Sequence, residues 1–108
     1  MTKIPRKQKN GDGVDPFSVE RIRVARNLES LCKSWEVSYN DVAFWATDIA
    51  RAHSQTFRLD YRYILRLARG DVNFPNDKLT AVALVFGLSV RDLYSSKPPR
   101  GKDPRKRL

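Results

Sequence analysis

From Pro16 onward, apolar side chains return every three or four residues, and no stretch alternates at a spacing of two. That period belongs to packed helices and predicts almost no strand. Asp15-Pro16 reads as a helix start, with Asp15 as N-cap and Pro16 at the first helical position. The helix that follows aligns Phe17, Val24, Leu28, Leu31 and Trp35. Ile22, Ala25 and Cys32 widen this stripe, Arg21, Arg23, Arg26 and Glu29 lie off it, and the helix should end near Ser34. Ser38, with Asp41 three residues on, predicts a capping box opening a second helix from Tyr39 to Ala52, built on Val42, Ala43, Ala46, Ile49 and Ala50. Residues 53–56 have no period and read as a turn.

Asp60 caps a third helix, Tyr61 to Arg69, closed by Gly70 in the position that favours left-handed backbone. Tyr63, Ile64, Leu67 and Ala68 are spaced to face inward, and Tyr61, Arg62, Leu65, Arg66 and Arg69 to face out. After a loop over 71–75, Asn76 should cap a fourth helix whose face is Leu79, Val82, Ala83 and Phe86, and Gly87 should end it. Ser89 caps a short fifth helix with Val90, Leu93 and Tyr94. The expected fold is all-α: a compact bundle of about five helices over 17–95. On this reading 1–16 is a disordered basic N-terminal arm and 96–108 a disordered basic C-terminal tail.

The charge changes the picture through its placement. The net charge is +9, of which the last twelve residues carry +5, the first sixteen +2 and the 80 between them only +2. Basic ends around a nearly neutral body suit a polyanionic partner, and nucleic acid is the expected one. A single cysteine, Cys32, gives no internal disulfide, and no secretory signal or 20-residue apolar span is visible, so a cytoplasmic, nucleoid-associated protein with no membrane partner is expected.

The third helix is where the pattern acquires chemistry. The DNA major groove, about 12 Å wide, admits one helix exposed on one side and pinned on the other. Ile64 and Leu67 supply the pin, while Arg62 and Arg66, one turn apart, share the open side. An arginine so placed can donate to two acceptors of one guanine. Tyr61 can stack, bond a phosphate or meet a thymine methyl.

The run LDYRYILRLARGDVNFPNDKLTAVALVFGLSVRDLY, residues 59–94, resembles the lambda-repressor-like (XRE-type) helix-turn-helix domains, and most of all the actinobacterial EspR-type regulators. The resemblance is carried by Asp60, Tyr63-Ile64, Leu67, Gly70, Pro75, Phe86-Gly87 and Leu93. It implies a sequence-specific transcriptional regulator, bacterial or phage, with the third helix in the major groove of double-stranded DNA. It implies that Tyr61, Arg62 and Arg66 read bases, and that Ser38 or Tyr39, Asn73, Asn76 and Lys78 meet phosphates; Arg58 and Arg69 are expected as further phosphate contacts. The C-terminal cations Arg100, Lys102, Arg105, Lys106 and Arg107 would act as a DNA arm. The chain departs from the family at two places. Asn40 and Asp41 stand where a glutamine is usual, and 46–58 is longer than the common tight turn, so the resemblance leaves the angle between the two motif helices open.

Other features have plainer readings. Trp35 and Trp45 are expected as packing residues, His53 as a helix end, Cys32 as a small buried hydrophobe, and Asp48 and Asp60 as members of ordinary ion pairs. With one histidine, one cysteine and no paired-carboxylate motif or glycine-rich phosphate loop, no enzyme, metal, cofactor or small-molecule ligand is expected. A weak homodimer, or one formed only on DNA, is the expected assembly. Two rival readings stand beside the first: a protein-interaction adaptor on the same scaffold, favoured if the third helix carries a large exposed apolar patch, and non-specific nucleoid packaging.

Overall fold

The computed structural model describes residues 16–71 and 75–107. Its elements are α1 (Pro16–Trp35), α2 (Tyr39–Ala52), α3 (Tyr61–Ala68), α4 (Asn76–Val85) and α5 (Val90–Leu93), followed by a 3₁₀ turn at Pro104–Arg107. There is no strand among the described residues. The expected cap Asp15 and the rest of the N-terminal arm lie outside them.

Local chemistry accounts for the helix starts. At α2, Ser38 Oγ accepts the Asp41 N–H at 3.0 Å and the Asp41 carboxylate accepts the Ser38 N–H at 3.4 Å, the reciprocal box that the spacing predicts. At α3, Asp60 Oδ1 accepts the Tyr63 N–H at 2.9 Å, so Asp60 is a cap, and among the described residues it forms no ion pair. At α4 the expectation fails. Pro75 holds the N-cap position with no side-chain bond, and Asn76 is already helical.

The four longer helices all end by one device, in which the second residue past the cap donates back five positions. These bonds are Val37 N–H to Cys32 C=O (3.0 Å), Gln55 to Ala50 (2.8 Å), Asp71 to Arg66 (2.9 Å) and Leu88 to Ala83 (2.9 Å). Gly70 and Gly87 take the left-handed position at two of these ends, whereas Glu36 (φ 55°) and Ser54 (φ 60°) take it at the other two.

α2 packs on α4 and α3, α1 on α3 and α5, and α4 on α5. Val24, Leu28 and Leu31 of α1, Val42 and Ala46 of α2, Ile64 and Leu67 of α3, and Leu93 of α5 meet around α4. α4 is buried on more sides than its predicted face, since Ala81 and Val85 are covered as well as Leu79, Val82, Ala83 and Phe86. Ile22, expected on the α1 stripe, is instead 55 % exposed. Trp35 and Trp45 are half-buried against the core, and Cys32 is buried.

Among the described residues, one polar side chain, that of Asn27, is fully enclosed. Asn27 Nδ2 donates to the carbonyls of Leu93 (2.8 Å) and Ser95 (2.9 Å), and its neighbour Arg26 donates to Ser95 (3.1 Å) and Ser96 (2.8 Å). These bonds satisfy the carbonyls that the end of α5 leaves open.

The C-terminal segment corrects the sequence reading. Residues 97–107, expected as a disordered tail, lie against the body as a strap. Trp35 Nε1 donates to the Arg100 carbonyl (3.0 Å), the Lys102 N–H to the Phe86 carbonyl (2.8 Å), and the Arg105 guanidinium to the Trp35 carbonyl (2.7 Å). Pro104 is buried. The strap thus closes the open carbonyl ends of α1 and α4, a physical reason for order that a charge count does not contain.

Candidate nucleic-acid interface

α3 presents two different sides. Ile64 and Leu67 are buried against α1 and α2, whereas Arg62, Arg66 and Arg69, at spacings of four and three, form one exposed stripe. None of these three guanidiniums has a hydrogen-bond or ion-pair partner among the described residues. Tyr61, the first residue of α3, is 46 % exposed and sits at the junction of two shallow grooves.

In the first groove Tyr61 meets Ser38, Tyr39, Cys32 and Lys33. The starts of α2 and α3 therefore share one groove, which Ser38, Tyr39 and Tyr61 line together. Burial, with Cys32, Glu29 and Tyr61 nearby, raises the Tyr39 phenol above its ordinary value, so Tyr39 stays a neutral donor. Ser38 is exposed, but its Oγ already caps α2. In the second groove Tyr61 joins Arg58, Asn40, Asp41, Asp48 and Phe44. Asp48 pairs loosely with Arg51 at 3.9 Å. Phe44, which the sequence reading passed over, is 66 % exposed here. It lies two residues from the buried Val42 and Ala46, and that offset at helical period was the available signal for an outward side chain.

The remaining expected phosphate contacts divide. Arg58 and Asn76 are exposed. Lys78 is half-buried, with Nζ 5.4 Å from the centre of the Tyr63 ring, a cation–π contact that ties α4 to α3. Asn73 lies outside the described residues. Of the C-terminal cations, Arg100, Lys102 and Lys106 are exposed, and Arg105 is engaged with Trp35 and with Asp103 Oδ1 at 3.1 Å. The Arg105 backbone N–H and guanidinium hold the Asp103 carboxyl below its usual range. The side chain of Arg107 is outside the described residues.

A residue missed in sequence ties α2 to the segment that leads into α3. Thr47 Oγ1 accepts the Leu59 N–H at 2.9 Å and donates to the Leu59 carbonyl at 3.0 Å. The end of the 53–60 connection is thereby bolted to the middle of α2, immediately before α3 begins.

Comparisons with protein-family models, with curated proteins and with solved structures find no match. Among the described residues no group of three or more His, Cys, Asp or Glu could hold a metal ion, and no helix is long and apolar enough to cross a membrane.

Proposed function

We propose that this protein is a sequence-specific binder of double-stranded DNA, a lambda-repressor-like transcriptional regulator that reads the major groove with α3. The observation that carries this reading is the Arg62–Arg66–Arg69 stripe: three exposed guanidiniums with no partner among the described residues, on a short helix whose other side is pinned by Ile64 and Leu67. Arg62 and Arg66 would donate to guanine O6 and N7, and Tyr61 would contact an adjacent base. Arg58, Asn76, Arg69 and the α2 start at Ser38-Tyr39 would set register on phosphates, and Asn73 joins them by resemblance alone. Lys78, held over Tyr63, is a poorer phosphate candidate.

Phe44 favours a second reading. An exposed aromatic in a groove that also carries Asp41, Asp48, Arg51 and Arg58 has the mixed character of a protein-binding surface. Titration of labelled duplex DNA with the full chain separates the two. DNA reading requires Arg62→Ala/Arg66→Ala to weaken binding at least tenfold while Phe44→Ala leaves it within about twofold. Equal binding by the arginine variant would move the function to the Phe44 groove.

A further inference from the structure

The strap offers more than closure of the core. It carries four exposed cations, Lys97, Arg100, Lys102 and Lys106, and its one acid, Asp103, is already engaged with Arg105. Its course is fixed at both ends. Arg26 and Asn27 hold the carbonyls of Ser95 and Ser96, and Trp35 and Phe86 hold residues 100–105. Between them Gly101 (φ +67°) comes so close to the core that an added Cβ would lie 3.1 Å from Phe86 and 3.2 Å from Leu31. The Lys102 stem lies along Gly87. The anchor Trp35 is three residues before Ser38, so the 100–105 part of the strap sits at the end of α1 beside the start of α2. There Ser38 and Tyr39 adjoin Tyr61.

We infer that residues 97–107 are a preformed phosphate-gripping strap, which extends the contact with double-stranded DNA from the α3 groove along the backbone beside the start of α2. This rests on the DNA-binding reading and adds to it a fixed position. A flexible arm lends charge anywhere within its reach, whereas a strap whose backbone is bonded to Trp35 and Phe86 presents its cations at set places and loses little conformational freedom on binding. Charge complementarity selects the occupant, because four cations with no free acid among them suit a run of phosphates.

The test uses the full chain in three forms: wild type, Lys97→Gln/Arg100→Gln/Lys102→Gln/Lys106→Gln, and Arg105→Met, which loosens the strap and leaves those four cations. Binding to a duplex that the wild type protects is measured across salt concentrations, together with hydroxyl-radical footprinting. For the four-glutamine form the expected result is a salt slope shallower by about 0.9 for each phosphate no longer neutralised, protection missing from one flank, and an unchanged preferred sequence. For Arg105→Met the same flank should become diffuse. Unchanged melting of the four-glutamine form shows that it still folds. The inference is overturned if its slope is unchanged, or if protection weakens evenly over the whole site. It is also overturned if the glutamines abolish binding to RNA or to an acidic protein while leaving the duplex untouched. Failure of the DNA reading itself looks different: no duplex is protected by the wild type at any salt concentration.

Discussion

Thr47 Oγ1 and the backbone of Leu59 exchange two hydrogen bonds, of 2.9 and 3.0 Å, so that one hydroxyl serves both the N–H and the C=O of a residue twelve positions away. Leu59 is buried, and water cannot replace the hydroxyl without opening the joint between α2 and α3. Thr47→Val keeps the shape and removes both bonds. It should lower stability by about 1–3 kcal/mol, read as a lower denaturation midpoint. DNA affinity should fall further than stability explains, because the segment leading into α3 loses its tether to α2. Thr47→Ser should restore most of both.

The end of α1 stores strain. Glu36 adopts φ 55° where glycine is favoured, and its carboxylate stands at the negative end of the helix. Glu36→Gly should therefore stabilise the fold by up to about 1 kcal/mol. Thermal melting checks the sign. A fall in melting temperature would show that the Glu36 side chain makes a compensating interaction.

Gly101 is the reverse case. Its positive φ strains any residue with a Cβ, and an added methyl group would lie 3.1 Å from Phe86, tighter than ordinary contact. Gly101→Ala should lift the strap from the core, costing at least about 1–3 kcal/mol and exposing the Trp35 indole. Trp35 fluorescence should shift to the red. If the substitution were silent in both melting and emission, the strap would not be packed as described.

Alkaline pH should unfold the protein through its buried acids. Burial pushes the Cys32 thiol from 9.0 to about 12 and the Tyr63 phenol from 10.0 to about 12. The native state keeps these protons where the unfolded chain has released them. Stability is thus fully present below about pH 9 and falls as pH rises toward 12. The slope from Cys32 alone grows above pH 9 toward a ceiling of about 1.4 kcal/mol per pH unit. Cys32→Ala should be less stable at neutral pH but show a shallower decline between pH 9 and 10, as urea denaturation at each pH would reveal.

Much of this architecture was legible because it is local. The capping box at Ser38 and Asp41, the Asp60 cap, the glycine ends at Gly70 and Gly87 and the inward pair Ile64 and Leu67 are short-range patterns. What escaped is long-range or rule-breaking. Glu36 and Ser54 end helices without glycine, so composition gives no sign of them. Asn27 looks like a surface residue until α5 returns to it 66 positions later. The strap reads as a charged tail because its order comes from backbone bonds to Trp35 and Phe86, which no charge or hydropathy pattern encodes. In the candidate site, the arginine stripe followed from helical period. The exposure of Phe44 was equally available there, and only the groove it shares with Arg58 and Tyr61 needed the fold.

Sequence reading by α3 is tested by selection of bound duplexes from a random library at roughly 150 mM salt, where purely electrostatic binding is suppressed. It is run on the intact protein and on the Arg62→Ala/Arg66→Ala variant. If α3 reads bases, the intact protein enriches a motif containing guanine that the variant loses, with a two-fold repeat if two copies bind together. Enrichment of nothing, or of the same motif by both proteins, would contradict it.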